Sequence, residues 1–159
     1  MKIGIIVYSQ TNNTLAVAGK LEERLKKSGH SVSIERVETE GEVKPGEKDI
    51  KFKFKPEIKQ YEGVVFCSPV HAFSLPPAMS SYMNGISTMK GKKTTCFVTK
   101  NLPGKWTGGN RTINSMAKII ESKGGSVSGS GIICWRGKDK NPERDQKISD
   151  LVDELARLY

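Results

Sequence analysis

The amino-acid sequence predicts an α/β protein in which a five-stranded parallel sheet of order 2-1-3-4-5 lies between two layers of helices. Three observations predict it. Apolar runs of strand length alternate with amphipathic helical stretches from end to end, and parallel neighbours need right-handed helical crossovers. The first run, Lys2 to Tyr8, is apolar almost without a break, as in a strand covered on both faces. The chain has 159 residues, the size of one domain with one core, so residues 1–159 are expected to fold as a unit, and 2-1-3-4-5 is the compact way to wind five such strands.

After the first strand, Leu15, Ala18, Leu21 and Leu25 recur at helical spacing from about Asn13, and Ser28-Gly29 stops that helix. His30 to Val37 is short and alternates Val32 with Ile34, which fits an edge strand. Gly63 to Cys67 is the third strand, and Pro76-Pro77 opens a helix whose Met79, Tyr82, Met83, Ile86 and Met89 share one face. Thr94 to Thr99 is the fourth strand. Asn110 to Lys123 is a helix with Ile113, Met116, Ala117 and Ile120 inward, closed by Gly124-Gly125. Ser126 to Trp135 is a glycine-containing fifth strand, and Asn141-Pro142 caps a last helix presenting Ile148, Leu151, Val152, Leu155 and Leu158. Between the second and third strands the pattern weakens. Residues 38–60 offer no long helix, and DIKFKFKP alternates Ile50, Phe52 and Phe54 with lysines. An irregular or extended segment is expected there, with both Phe rings over the sheet or its edge, then a short turn of helix at Pro56–Tyr61.

Composition narrows the class. With 36% apolar and 27% charged residues the chain is neither disordered nor membrane-inserted, because no run approaches the roughly 18–20 apolar residues of a bilayer span. The opening residues read as a strand rather than a signal peptide, and a cytoplasmic protein is expected. Cys67, Cys96 and Cys134 are far apart in apolar runs, which excludes a paired redox motif or a clustered metal site and predicts buried thiols. The net charge is +9, and residues 90–111 carry six basic groups and no acid. A concentrated excess of this kind points to a docking face or an anionic ligand.

Ligands of such sheets bind beyond the carboxyl ends of the strands at the switch point, here between the first and third strands. Three loops lie there: Ser9–Thr14, Ser68–Leu75 and Lys100–Asn110. The first, Ser9-Gln10-Thr11-Asn12-Asn13-Thr14, joins a buried strand to a helix, so backbone N–H groups and hydroxyls converge on a helix N-terminus and form an anion site. Ordinary capping by Asn12 or Asn13 is the alternative reading. The loop has no carboxylate to hold magnesium and accept a phosphoryl group. It also lacks the nucleophilic Cys with Arg of a phosphatase and the G-x-G-x-x-G of a dinucleotide fold. The anion is bound and not cleaved.

Ser9-Gln10-Thr11-Asn12-Asn13-Thr14 resembles the phosphate loop [ST]-x-T-G-x-T of the flavodoxin family, FMN-binding electron carriers, with Asn12 in place of Gly. Asn tolerates a left-handed backbone, which that position asks for. Ser68-Pro69-Val70-His71-Ala72-Phe73-Ser74-Leu75-Pro76 is similar to the segment bordering the flavin ring. Thr99-Lys100-Asn101-Leu102 through Trp106-Thr107-Gly108-Gly109 is similar to the third flavin loop and the start of the next helix. The resemblance covers all five strands and four helices, departs across residues 38–56, and implies a flavodoxin-like three-layer sandwich.

It further implies FMN as cofactor. Phosphate contacts would come from Ser9, Thr11, Asn13 and Thr14, with main-chain donors from Gln10 and Asn12, and Ser68, Pro69 to Phe73, Thr99 to Asn101, Gly108 and Gly109 would border the cofactor. Phe73, Trp106 and His71 are the candidates for stacking on the ring, and none falls on a family aromatic position; burial by loop packing is the other reading of the two large rings. The function implied is electron transfer between redox partners, one of them a protein with an acidic docking face drawn to Lys100, Lys105 and Arg111. The alternative is an NAD(P)H-dependent flavin or quinone reductase of the same fold, although no nicotinamide motif is visible. A nucleic-acid module would need a recognition helix or an aromatic and basic surface, and none is expected.

Overall fold

The computed structural model describes residues 1–159. Its main sheet contains β1 (Lys2–Val7), β2 (Ser31–Arg36), β5 (Gly63–Pro69), β6 (Lys93–Lys100) and β7 (Val127–Cys134), all parallel, in the order β2-β1-β5-β6-β7. Numbered by their place in the main sheet alone, these are strands 2-1-3-4-5. A separate antiparallel pair, β3 (Glu38–Thr39) with β4 (Phe52–Phe54), occupies the connection from β2 to β5. The helices are α1 (Asn13–Lys27), α2 (Pro77–Asn84), α3 (Gly109–Ser122) and α4 (Pro142–Ala156).

The sheet divides the core in two because successive side chains of a strand point to opposite faces. Ile3, Ile5 and Val7 of β1 join Val65, Cys67 and Phe97 under α1 and α4, against Val17, Leu21, Leu25, Ile148 and Leu155. Ile6, Phe66, Cys96 and Val98 face the other way, against Met79 and Met83 of α2 and Met116 and Ile120 of α3. None of these is more than 2% exposed. Cutting a residue such as Leu21 to Ala would cost about 2–5 kcal/mol. On β7, Gly131 leaves its face bare, and an added Cβ there would overlap the Leu151 side chain of α4. That absence is what lets α4 lie close on an edge strand.

The helix boundaries follow local chemistry. Gly29 takes a left-handed φ of 91° just past α1, and Asn141 caps α4 by accepting the Arg144 N–H at 3.0 Å. Four expectations change. Helix α2 ends at Asn84, so Ile86 and Met89 lie beyond it, with Met89 still fully buried from the following turn. No helix forms at Pro56–Tyr61, where a single Tyr61 N–H to Ile58 carbonyl bond makes a turn. Phe52 packs on the core as expected, but Phe54, two residues on, points outward and is 48% exposed. Cys134 is only half-buried, its strand being the sheet edge, whereas Cys67 and Cys96 are buried.

In place of a crossover helix, residues 38–55 therefore form a hairpin. Val43 is buried in the α2–α3 side of the core, and Ile50 and Phe52 pack against it. Three apolar anchors in a segment with six lysines from 44 to 59 are enough to seat an extended strap but not a helix face.

Candidate functional site

The parallel strands end at one edge, and their register sets which loops meet there. Val7 pairs with Cys67 on one side and Arg36 on the other, Pro69 pairs with Thr99, and Lys100 with Cys134. The loops after β1, β5 and β6 are thus neighbours, with the end of β2 and the hairpin on one flank.

The first loop leaves a cup of N–H donors without acceptors at the start of α1. Asn12 adopts a left-handed backbone, φ 68°, and its side chain makes no cap bond. The helical ladder of α1 begins with the Ala16 N–H donating to the Asn12 carbonyl at 2.9 Å, so the N–H groups of Asn13, Thr14 and Leu15 have no helical acceptor. No acidic residue stands in the first turn of α1. Ser9 Oγ, in the same loop, is buried and has no hydrogen-bond partner. Leaving such a hydroxyl unpaired costs about 1–3 kcal/mol, which a ligand oxygen would recover. Thr14 is buried, and its hydroxyl shares a 2.7 Å hydrogen bond with that of Thr99, likewise buried. This bond fastens the start of α1 to the end of β6.

The second loop doubles back sharply. His71 and Ser74 exchange both backbone hydrogen bonds, at 2.9 and 3.0 Å, and the two residues between them, Ala72 and Phe73, have φ of 48° and 62°. Left-handed backbone at a non-glycine pair costs on the order of 1–3 kcal/mol per residue. The result is a rigid tip that holds the Phe73 ring outward, 46% exposed. Val70 N–H donates to the Thr99 carbonyl at 2.9 Å, and Ser68 is buried with its hydroxyl on the Pro69 carbonyl.

The third loop is braced from within. Lys100 Nζ donates to the Gly104 carbonyl at 2.7 Å and to Thr107 Oγ1 at 2.9 Å, so this cation is spent on loop shape while Lys105 and Arg111 stay exposed. Asn101 is exposed, and its carbonyl lies 3.9 Å from Cys134 Sγ. Gly108, φ 97°, touches the second loop backbone to backbone: a Cβ there would fall 2.5 Å from the Phe73 Cα and carbonyl carbon. Gly109 behind it is buried under Ile132. This contact brings Trp106, 78% exposed, beside Phe73, with ring centroids 6.2 Å apart and planes tilted 37°. A third ring slipped between two others needs about 7–8 Å, twice the optimal contact distance. The pair is therefore one aromatic wall and not the two sides of a slot. His71 is half-buried on the far side of the tip, at a cavity of about 430 Å³ shared with Lys48, Ile50 and the start of α2.

Residues 1–116 match the family model for NADPH-dependent FMN reductase. The chain belongs to that family. No curated protein matches the sequence. Solved structures similar to this family member include flavodoxins: oxidised flavodoxin 2 from Bacillus cereus aligns over 100% of both chains with TM-score 0.72 and 19% identity. The Streptococcus pneumoniae flavodoxin does so over 100% of both with 0.70 and 13%. The Fusobacterium nucleatum flavodoxin, solved with flavin mononucleotide, aligns over 99% of this chain and 98% of its own with 0.66 and 17%. At these identities the likeness is one of fold. The family match takes in all three loops, Ser9–Thr14, Ser68–Leu75 and Lys100–Asn110, and ends within α3.

One flank of this FMN reductase family member escaped the sequence reading. Arg36, the last residue of β2, reaches Nη2 to 3.5 Å from the Ser9 carbonyl. With Tyr8, Glu38, Thr39, Glu42 and Lys53 it surrounds a cavity of about 610 Å³ that opens on Ser9, Gln10 and Thr11. The signal was available in the strand order, which sets the end of β2 beside the end of β1. The hairpin that completes the wall was not, because its turn is written in residues of no fixed period.

Proposed function

We propose that the protein binds FMN across this edge and passes electrons between redox partners. One observation carries the reading: the unpartnered, buried Ser9 hydroxyl at the uncapped start of α1. The donors fit a phosphate monoester. They are neutral or N–H groups at the positive end of a helix, with no carboxylate in the loop to repel a dianion. In this reading Ser9, Thr11 and Asn13 hold the phosphate with the free N–H groups of the loop, and Gln10 and Asn12 add main-chain donors. The Thr14–Thr99 bond keeps the cup in register with the third loop. Bound FMN supplies the one- and two-electron chemistry. Phe73 and Trp106 give its ring an apolar wall that excludes water from one side, while the other side remains open to whatever delivers or takes electrons.

Lys105 and Arg111, exposed beside the third loop, favour a protein partner with an acidic docking face, whose association slows as ionic strength rises. The protein is proposed to work in the cytoplasm, as one domain, without nucleic acid; no helix is long and apolar enough to cross a membrane. The family match favours a second reading, hydride uptake from NADPH by the protein itself. FMN titrated into the cofactor-free protein should bind with a red-shifted or quenched flavin signal, and a protein that cannot be loaded with FMN would overturn both readings. Slow NADPH oxidation with a quinone or dye acceptor, accelerated by an added reductase, is the result expected of a carrier. Rapid turnover without that reductase would put the reductase reading first.

A further inference from the structure

The hairpin between β2 and β5 has a strand edge that nothing in the chain covers. β4 pairs with β3 alone. Outside that ladder, the one backbone hydrogen bond of residues 51–55 is accepted by the Lys51 carbonyl from the Glu40 N–H at 2.8 Å, again from the β3 side. The opposite edge therefore offers unpaired backbone donors and acceptors over about 17 Å. Lys51, Lys53 and Lys55 alternate with Phe52 and Phe54 along it, all three lysines are exposed, and no acid stands between Ile50 and Pro56. None of the three forms a salt bridge. Lys51 and Lys53 share one face of the strand, and Lys55, just past it, leans its ammonium over the Phe52 ring at 5.6 Å from the centroid. Phe52 packs on the core, whereas Phe54 is 48% exposed.

We propose that the free edge of β4 docks an extended acidic segment of another protein, which joins the hairpin as a third strand. The strand β4 already pairs shows what its lysines accept: Glu38, Glu40 and Glu42 place an acid at every second residue. The free edge presents the same lysines to a second strand of that pattern, and opposite charges directly across a ladder attract. Main-chain pairing supplies the affinity of such an added strand, and alternate side chains supply the selection. Lysines on an edge keep it from pairing with a copy of itself or with any basic strand, so the charge that guards this edge also names the partner it admits. An apolar residue between the partner's acids would cover Phe54. This surface lies on the β2 flank of the sheet, with β1 and β5 between it and the strand that leads to Lys105 and Arg111. It is therefore a second docking surface, and it does not depend on FMN.

The test titrates the whole protein, cofactor-free and FMN-loaded, into fluorescein-labelled peptides of about seven residues, read by anisotropy at low and at physiological salt. One peptide alternates Glu with Val. A second holds the same residues with the acids in one block, a third has Lys for every Glu, and a fourth is the alternating peptide N-methylated at every amide, which keeps its side chains and removes its strand edges. The alternating peptide should saturate one-to-one on both forms of the protein, at least about 10-fold tighter than the block and N-methylated peptides, and the Lys peptide should not bind. Lys51→Glu with Lys53→Glu should weaken it about 10-fold or more, Phe54→Ser about 3-fold or more, and Lys105→Gln with Arg111→Gln less than about 3-fold. Equal affinity for the alternating peptide and its block or N-methylated form would mean charge without strand pairing and would overturn the proposal. So would a loss that follows Lys105 and Arg111, or no binding at all. The peptide series is read on the unaltered protein, so it decides even where a variant fails to fold. Phosphatidylserine vesicles that bind through Lys51, Lys53 and Phe54, while the alternating peptide neither binds nor competes, would make the strip a membrane contact and also overturn it. FMN binding is followed separately by flavin fluorescence. Its failure overturns the function proposed above and leaves the docking edge standing, and peptide failure on FMN-loaded protein does the reverse.

Discussion

Replacing Gly108 by Ala tests whether the second and third loops are welded where the structure puts them. Two costs add. Ala at φ 97° pays about 1–2 kcal/mol for a left-handed backbone. Its methyl would also stand 2.5 Å from the Phe73 Cα and carbonyl carbon, atoms of a backbone already held in a tight turn, so overpacking contributes a further 1–3 kcal/mol or so. The sum, about 2–5 kcal/mol, is a large share of the roughly 5–15 kcal/mol that holds a domain together. Gly29 supplies the control. Its φ is 91° and nothing lies within 4 Å of a Cβ built there, so Gly29→Ala carries the backbone cost alone. Urea unfolding of the cofactor-free protein should place Gly108→Ala about 1–3 kcal/mol below Gly29→Ala. FMN affinity should fall only in Gly108→Ala, because parting the loops separates Phe73 from Trp106. Equal destabilisation of the two variants with unchanged FMN binding would refute the contact and, with it, the aromatic wall.

Ser9→Ala should weaken FMN by about 1–2 kcal/mol with riboflavin little affected, while the cofactor-free protein keeps its stability or gains slightly, because an unpaired hydroxyl has been removed; a loss of stability without a change in FMN affinity would take Ser9 out of the cup. Thr14→Val and Thr99→Val should each cost about 1–2 kcal/mol in urea unfolding and the double variant less than their sum, as for one shared hydrogen bond, and strict additivity would dissolve that pair. Tryptophan fluorescence should be quenched by FMN in Trp135→Phe as in the natural protein and largely unresponsive in Trp106→Ala, since Trp106 is on the wall and Trp135 lies under Arg144, 4.7 Å from its guanidinium carbon; the reverse would move the ring to the β7 side. Burial pushes the Cys96 thiol from its ordinary 9.0 up to about 12, so the folded state keeps a proton that the unfolded state releases: this stabilisation is complete below pH 9 and is lost between pH 9 and 12, at about 1.4 kcal/mol per unit. Cys96→Ala should make the fall in unfolding free energy from pH 9.5 to 10.5 shallower by about that amount, and an unchanged slope would mean the thiol ionises freely in the fold.

The sheet was legible because burial on both faces leaves a mark that needs no partner to be read. Ile3, Ile5, Ile6 and Val7 of β1 and Val64, Val65, Phe66 and Cys67 of β5 are each fully buried, and such a run of four apolar residues out of five is the mark of a strand covered on both faces. Helix α2 was overrun for a related reason. Ile86 and Met89 continue the apolar spacing past Asn84, and a period in the sequence records burial rather than backbone hydrogen bonds. Gly85 caps the helix with φ −78°, so it lacked the left-handed signature that marked Gly29. The hairpin was half legible: alternation named Phe52 and Phe54 as strand residues, but which ring is covered depends on where β3 pairs with β4, and a two-residue strand such as Glu38–Thr39 carries no pattern of its own.

The site divides along the same line, between what one segment determines and what two segments determine together. The donor cup is local: a left-handed Asn12, free N–H groups and Ser9 all follow from six consecutive residues. The wall is not, since Trp106 and Phe73 are 33 positions apart in sequence and meet only because Gly108 lacks a Cβ. Neither is the role of Lys100. A lysine in a basic stretch reads as a charge offered to solvent or to a ligand, yet its ammonium closes the third loop by bonding Gly104 and Thr107. A cation bound at two oxygens of its own loop projects less field toward a partner than a free one, so the proposed docking face contracts to Lys105 and Arg111. Changing Lys100 to Gln should therefore loosen the loop and weaken the Phe73–Trp106 contact more than it alters the salt dependence of electron transfer. Changing Lys105 and Arg111 together to Gln should do the opposite. If instead Lys100→Gln flattens the salt dependence while loop and fluorescence stay as they were, the ammonium faces the partner and the two hydrogen bonds are incidental.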